Sequence, residues 1–425
     1  MKKYESYKDS GVGWIGKIPS HWSCVPFRRI AKVQCNLVRP SENLTMFQIS
    51  PDSIEKNSGK IIKTRTVEEA KVDSDNHRFY KGQILYSKIR PLLNKVTIAP
   101  YDGLCCADMY PISTIENTEY VMYYMLSEAF LSSVKNIVAD RVKMPKINQD
   151  ELKNTDFVIP PFSEQQVVVD YLKDKTLKIE QYVSTRERER ELLDSLKQSE
   201  IANVVTKGLN PNVRMKDSGI FWVPQIPSHW KTTKLKHILV KLNREKSEDA
   251  ELLVCSNKGK VIKKGDTKMG LVADNNDIYQ GVCKGDLLIH GMDTWHGAIA
   301  ISDYDGMCTP VVHVCDSNQN KKFVAFYLQF MALSKVFKLI SNGVRQNTSD
   351  FRSWDKVGAI PIMLPPLEEQ QAIVDYIEAK LSKIDSCMAD LQAEIDYLKE
   401  FKQRLISDVV TGQICVAKPQ KGEQQ

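Results

Sequence analysis

Residues 8–22 read KDSGVGWIGKIPSHW and residues 216–230 read KDSGIFWVPQIPSHW, ten of fifteen positions agreeing at an offset of 208. A second match pairs PPFSEQQVVVDYLKDKTLKIE (160–180) with PPLEEQQAIVDYIEAKLSKID (365–385), at an offset of 205. It continues to Lys197-Gln198 against Lys402-Gln403 and to Val204-Val205-Thr206 against Val409-Val410-Thr411. Between these blocks YDGLC (101–105) answers YDGMC (304–308), and Lys81-Gly82 answers Lys284-Gly285. A nearly constant offset means one long duplication. Its period is far too long for a solenoid, so the chain is two copies of a domain-plus-helix unit. The interiors diverge: KGQILYSKIRPLLNKVTIAP (81–100) and KGDLLIHGMDTWHGAIAISD (284–303) share little beyond their opening. Equivalent places carrying different side chains are what a protein that reads two different things requires.

The segments after the Pro-Pro pairs are expected to be helices. Ser163 and Gln166 have capping-box spacing, and Glu368 and Glu369 would sit at the positive end of the second helix dipole. Ile377, Ile384, Leu391, Leu398 and Leu405 form one heptad row; Leu381, Met388, Ile395 and Val409 form another, interrupted by Lys402. The same offset places Leu172, Ile179, Val183, Leu193 and Val204 on the first helix, where Thr176, Arg186, Arg190 and Lys197 intrude. Gly208 and Gly412 fall where a left-handed closing residue is needed. Each helix would be about 60–65 Å long at 1.5 Å per residue, with a stripe it cannot bury alone, so each is the other's expected partner. The intervening chain allows either orientation, and an antiparallel pair would put the two domains at opposite ends. Runs such as QILYSKI, KVTIAP, DLLIHGM and AIAIS read as strands, while 120–138 and 321–340 read as amphipathic helices. The expected fold is α+β: two mixed α/β domains joined by two long helices in an antiparallel coiled coil, with a pseudo-twofold internal repeat. Boundaries fall at 1–158, 159–208, 209–363 and 364–412, with a disordered polar tail at 413–425.

Lys and Arg number 59 against 53 Asp and Glu, a net charge of +6 over 425 residues, which permits a nucleic-acid partner without demanding one. No apolar run approaches the ~18 residues of a membrane span, and the start MKKYESYKDSG has no apolar core after its lysines. A soluble cytoplasmic protein is expected. Ten cysteines are scattered without C-x-x-C spacing, the pattern of packed thiols rather than zinc or disulfides.

Several catalytic motifs fail on inspection. Gly11 to Gly16 matches G-x-G-x-x-G, but Ile18 stands where a phosphate loop needs Ser or Thr, and the second copy has Phe221, Pro224 and Gln225. Trp14, Ile18, Pro19 and Trp22 are better read as packing that anchors each domain's first strand. Ile159-Pro160-Pro161-Phe162 lacks the polar residue of the loop used by amino-methylating enzymes, and Leu364 replaces it in the other copy. No acidic cluster suggests a magnesium nuclease. His21 and His229, each beside a Trp, read as structural.

The duplicated KDSG-x-x-W-x-x-x-IPSHW openings, the PP-x-x-EQQ-x-x-VDY helix starts and the coiled-coil ends resemble the specificity subunit of Type I restriction–modification systems. The run GQILYSKIRPLLNKVTI…GLCCADMYPI is similar to one class of that family's target recognition domain. The resemblance implies that each domain reads one half of a split, asymmetric target in double-stranded DNA. The helices would be a ruler between the halves and a docking surface for modification (methyltransferase) subunits, two of them expected. Those subunits would hold S-adenosylmethionine, and restriction (translocase/nuclease) subunits would use ATP and Mg; no cofactor, catalytic residue, metal or membrane belongs to this chain. Expected DNA contacts in the first domain are Lys88, Arg90, Lys95, Arg141, Lys143 and Lys146. In the second they are Lys258, Lys260, Lys263, Lys264 and Lys268, with Arg345, Gln346, Asn347 and Arg352. Trp295 and His296 would serve either pocket packing or DNA contact. Lys would hold phosphates; Arg, Gln and Asn can also pair with base edges. The rival reading is a coiled-coil adaptor without DNA readout, which explains the helices but not two differently loaded domains.

Overall fold

The repeated K-D-S-G turns a hairpin in each copy. Tyr7–Asp9 pairs with Lys17–Pro19, and Met215–Ile220 with Val223–Pro227. At both turns the Asp carboxylate accepts the glycine amide, Gly11 N to Asp9 at 2.8 Å and Gly219 N to Asp217 at 2.9 Å. Both glycines have positive φ, +80° and +73°, which an L side chain resists. The G-x-G-x-x-G run is therefore a strand–turn–strand, not the entrance to a helix. A computed structural model describes residues 2–141, 143–247, 249–267, 278–341 and 350–416. It divides into two units, Met1–Glu187 with Ala393–Gln425, and Arg188–Gln392. Each unit takes the start of one long helix and the end of the other.

In the first unit a four-stranded sheet runs in the order Ala31–Val33, Met109–Thr114, Ile84–Ser87, Val96–Ile98. A second, five-stranded sheet is built from Leu37–Val38, Asn76–Phe79, Gly103–Cys106, Phe47–Ile49 and Arg65–Thr66. The second unit repeats the four-stranded order with Leu239–Leu242, Val312–Ser317, Leu287–His290 and Ile299–Ile301. Two-stranded ribbons lead into the long helices, Ser23–Pro26 against Asp156–Ile159 and Lys231–Lys234 against Pro361–Leu364. The amphipathic stretch 120–138 is two helices, Thr118–Met125 and Glu128–Val138, because Ser127 caps the second by accepting the Phe130 amide. The equivalent stretch is likewise broken, into Lys321–Leu333 and Val336–Ile340.

The long helices are Phe162–Lys207, 46 residues, and Leu367–Val410, 44 residues. Cross-helix pairs fix their direction within each unit. In the first, Glu180 meets Lys402 at 3.0 Å, Glu187 meets Lys399 at 2.9 Å and Arg186 meets Glu394 at 3.0 Å. In the second, Arg190 donates to Gln392, and Lys197 meets Asp385 at 2.6 Å. Rising numbers on one helix face falling numbers on the other, so the pairing is antiparallel. Of the polar intruders in the heptads, Arg186, Arg190, Lys197 and Lys402 are thus the groups that reach across, while the Thr176 hydroxyl donates to Leu172 O on its own helix at 2.6 Å. Half-exposed ion pairs contribute about 0–1 kcal/mol each, against about 1.5–3 for a buried Leu or Ile, so the seam carries stability and the charges carry register.

The heptad rows are only part of the buried surface. Leu172, Ile179, Val204, Ile377, Ile384, Ile395, Leu405 and Val409 are buried; Val183, Leu193, Leu381, Met388, Leu391 and Leu398 are half-buried. Toward the helix ends a second stripe appears that two heptad rows do not include: Val168, Ile406 and Val410 in one unit, and Ile201, Val205 and Ile373 in the other. There each helix faces both its partner and a domain, and it needs a wider apolar arc. The large domain side chains meet it, Trp22, Tyr120, Tyr124 and Phe157 in the first unit and Trp230, Phe323 and Tyr327 in the second. Residues 413–416, expected to begin a disordered tail, instead pack back on the first unit. Ile414 is buried, Gln413 Nε2 donates to Lys17 O at 2.7 Å, and Cys415 N donates to Lys2 O at 2.9 Å. Residues 417–425 lie outside the described residues.

The repeated motifs meet at the helix starts. Glu164 Oε2 accepts Trp22 Nε1 at 3.1 Å and faces His21 Nε2 at 2.9 Å, while its Oε1 accepts the Tyr4 hydroxyl. Burial and that carboxylate push the Tyr4 phenol well above its ordinary range. In the second unit Glu369 Oε2 takes Trp230 Nε1 at 3.2 Å and His229 Nε2 at 2.7 Å. The next residue, Gln165 or Gln370, accepts the amide of the helix-capping Asn117 or Asn320 at 2.9 and 3.0 Å. It donates to the Pro160 or Pro365 carbonyl at 3.1 and 2.9 Å. Gln166 bonds Asn117 Nδ2 and Asp170, so the expected Ser163–Gln166 capping box does not form. The repeat therefore records a polar joint between domain and helix. Glu164→Ala, which strands the indole N–H of Trp22 and the Tyr4 hydroxyl, is expected to cost about 2–4 kcal/mol. Glu369→Ala, at a more exposed carboxylate with no Tyr4 counterpart, should cost about half as much; urea unfolding of the two variants reads the order, and equal losses would contradict it.

Candidate nucleic-acid interface

In both units the strand Ile84–Ser87 or Leu287–His290 continues into a loop held between two neighbours. Lys88 N donates to Asp108 O at 2.9 Å and Ile147 N to Lys88 O at 3.0 Å. The second unit repeats this with Gly291 N to Val311 O and Phe351 N to Gly291 O, each 2.9 Å. A three-residue 3-10 turn follows, Pro91–Leu93 or Thr294–His296, closed by a left-handed residue, Asn94 (φ 44°) or Gly297 (φ 79°). The backbone frames match in these bonds and turns but part at the residue before the turn, φ 44° at Arg90 and −113° at Asp293; the side chains differ as well.

In the first unit this frame gathers most of the expected contacts. Lys88 lies with Nζ 5.4 Å from the Tyr110 ring centroid, Arg90 N donates to Pro145 O at 2.8 Å, and Ile89 bridges to Lys146. Lys88, Arg90 and Lys146 thereby share one edge, and Lys143 is exposed two residues before Pro145; Lys146 is 3.3 Å from Asp108, and the other three have no acidic partner within 4 Å among the described residues. Arg90 is exposed and left-handed, φ 44°, a conformation costing a non-glycine residue about 1–2 kcal/mol. Arg141 is at the same edge but committed, its guanidinium bonded to Glu151 at 3.2 Å and to the Lys146 carbonyl. It shapes the loop rather than reaching outward. Lys95 turns away altogether, its Nζ donating to Pro51 O at 2.5 Å.

The second unit is less uniform. Lys258 and Lys260 are exposed at the tip of the hairpin Leu253–Cys255/Val261–Lys263, beside Gly297 and Gln329. Lys263 pairs with Glu251 at 2.7 Å and lies over Tyr304, and Lys264 opens the next 3-10 turn, half-buried. Trp295 is half-buried, its Nε1 without a hydrogen-bond partner among the described residues, Lys338 Nζ lies 5.7 Å from its ring centroid, and His296 is exposed. Arg352 is exposed, its Cα 3.0 Å from where a Cβ on Gly291 would lie. Lys268, Arg345, Gln346 and Asn347 lie outside the described residues.

The residues that residue-by-residue reading missed are Asp293, which occupies the place of Arg90, and His290 beside it. His290 Nδ1 accepts the Asp293 amide at 3.1 Å, and burial lowers its pKa, so the ring is held neutral. The signal was available: the equal spacing from Lys81-Gly82 and Lys284-Gly285 aligns Arg90 with Asp293.

A family model described as the Type I restriction modification DNA specificity domain matches residues 43–185 and 227–397. The specificity subunit of the Type I restriction enzyme EcoDI of Escherichia coli is 40% identical over 155 residues, 36% of this chain and 35% of that protein. That match therefore spans about a third of the relative's length. A putative type I restriction enzyme MjaX specificity subunit from Methanocaldococcus jannaschii is 25% identical over 442 residues, 97% of this chain and 98% of that one. A chain solved in work on complex assembly and conformational transition of the type I R-M system matches with a TM-score of 0.70 at 14% identity, covering 93% of this chain and 99% of its own length. That last likeness shows the fold alone.

Proposed function

Because the chain belongs to the Type I restriction–modification DNA specificity family, we propose that its two units each read one half of a split DNA target. A specificity subunit is non-catalytic. The carrying observation is the pair of matched loop frames bearing different side chains. On this reading Lys88, Lys143 and Lys146 hold phosphates in one half-site, and Lys338 and Arg352 do so in the other, while residues on the loops contact bases. The paired helices act as the ruler. Their exposed apolar residues, Tyr182 and Tyr397 in the first unit and Leu192 and Leu196 in the second, receive modification subunits. Methyl transfer from S-adenosylmethionine, and ATP- and Mg-dependent translocation and cleavage, reside in those and the restriction subunits.

The test is binding of the complex with modification subunits to its target duplex as salt is raised. The five phosphate contacts named should give a logarithmic slope of about −4.5 or steeper. A flat response would leave the helices as a protein adaptor and remove DNA reading from this chain.

A further inference from the structure

We infer that Arg90 and Asp293 are equivalent base-reading side chains of opposite polarity: Arg90 takes the acceptor edge of a guanine, and Asp293 accepts the exocyclic amino group of a cytosine or an adenine. The inference deepens the reading proposed above and rests on it. Both residues stand immediately before the three-residue turn, Pro91–Leu93 or Thr294–His296, on the matched frames. They follow equivalent strands, and two residues before them Lys88 and Gly291 make equivalent backbone bonds, so the two loops start from the same place in the two units. At the residues themselves the backbones differ, φ 44° at Arg90 with its amide on Pro145 O, and φ −113° at Asp293 with its amide on His290. The side chain at that position changes sign.

Among the described residues, nothing uses up either group. Arg90 has no acid within 4 Å among the described residues, although its left-handed backbone directs it out of the loop at an energetic cost. Asp293 has one ion-pair neighbour among the described residues, His290 at 3.3 Å. The ring nitrogen facing it is Nδ1, which accepts the amides of Met292 and Asp293 at 3.4 and 3.1 Å and so offers the carboxylate no proton. The surroundings sharpen the contrast. Lys88 and Lys146 flank Arg90, and Arg352 and Lys338 lie around the loop of Asp293, as phosphate-binding groups would. A carboxylate on a face that must meet phosphates is repelled by them, and it is tolerated where it meets a hydrogen-bond donor instead. In the major groove the only such donors are the amino groups of cytosine and adenine, whereas a guanidinium fork matches guanine O6 and N7.

The experiment uses the full chain with its modification subunits and a panel of duplexes in which each base pair of the recognised sequence is replaced in turn. Arg90→Ala should lose roughly 10- to 100-fold of discrimination at one G·C pair in one half-site, with every position of the other half unchanged. Asp293→Ala should do the same at one position of the other half, where the parent requires cytosine or adenine. Arg90→Lys separates roles: a phosphate contact survives it with preferences intact, whereas base reading does not. Asp293→Leu, similar in size and without an acceptor, covers the case in which the alanine variant fails to fold. If the parent shows no preference in either half, the reading of two half-sites fails. If the parent discriminates and Arg90→Lys and Asp293→Leu keep its order of preference, or weaken all duplexes equally, the assignment of these two residues is overturned and the broader reading stands.

Discussion

Replacing residues 23–155 by the equivalent stretch of a relative is expected to change one half of the recognised sequence and leave the other intact. The exchange removes the sheets and the loop carrying Lys88, Arg90 and Lys146. It spares Trp22, Pro160, Glu164 and Gln165, the joint that fixes the domain on the helix. The strand Ser23–Pro26 enters with the graft, but it meets Asp156–Ile159 through backbone hydrogen bonds, which tolerate a change of side chain. Phosphate contacts would survive in kind, and the contacts that distinguish bases would be those of the donor. Mapping methylated adenines in a host carrying the hybrid reads both halves at once. A map altered in both halves, or in neither, would mean the units do not read independently.

Gly412→Ala is expected to be among the most damaging small substitutions in the chain. Gly412 closes the second long helix at φ +74°, and a Cβ there would lie 2.3 and 2.5 Å from Pro19 Cδ and Cγ and 3.2 Å from the Trp22 ring. The left-handed backbone costs about 1–2 kcal/mol and the overlap with a rigid ring another 1–3, a total of about 2–5 kcal/mol. Gly208, its counterpart at φ +74°, would bring a Cβ to 2.9 Å from Glu369 Oε1, which can swing aside, and 3.2 Å from Trp230. Gly208→Ala should therefore cost less. Gly11, at φ +80° with nothing within 4 Å, isolates the backbone cost alone. Thermal or urea unfolding should rank the losses Gly412, then Gly208, then Gly11. If Gly412→Ala cost no more than Gly11→Ala, the close packing of helix end against the P-S-H-W segment would be wrong.

These two expectations draw on different kinds of information. The swap is legible in the order of residues alone, because duplication with divergent interiors separates frame from reading surface. The helices, their heptads, both closing glycines and the failure of the phosphate-loop match are legible for the same reason: each depends on spacing along the chain. What the repeat is for is not legible there. His21 and Glu164 lie 143 positions apart, and nothing in either segment says that one binds the other. Both recur in the second copy, but only the fold, which brings them to 2.9 Å, marks them as a pair.

The basic residues show the same division. Lys88, Arg90, Lys95, Arg141, Lys143 and Lys146 are equivalent as charges in the chain, yet Lys95 spends its ammonium on the Pro51 carbonyl and Arg141 its guanidinium on Glu151. By itself the sequence determined two copies of a domain on a helix, because periodicity and duplication are properties of order along the chain. Tertiary structure alone decided that each unit combines the head of one helix with the tail of the other, and which charges face outward. Partners in hydrogen bonds and packing are chosen by proximity in space, which a one-dimensional pattern does not encode.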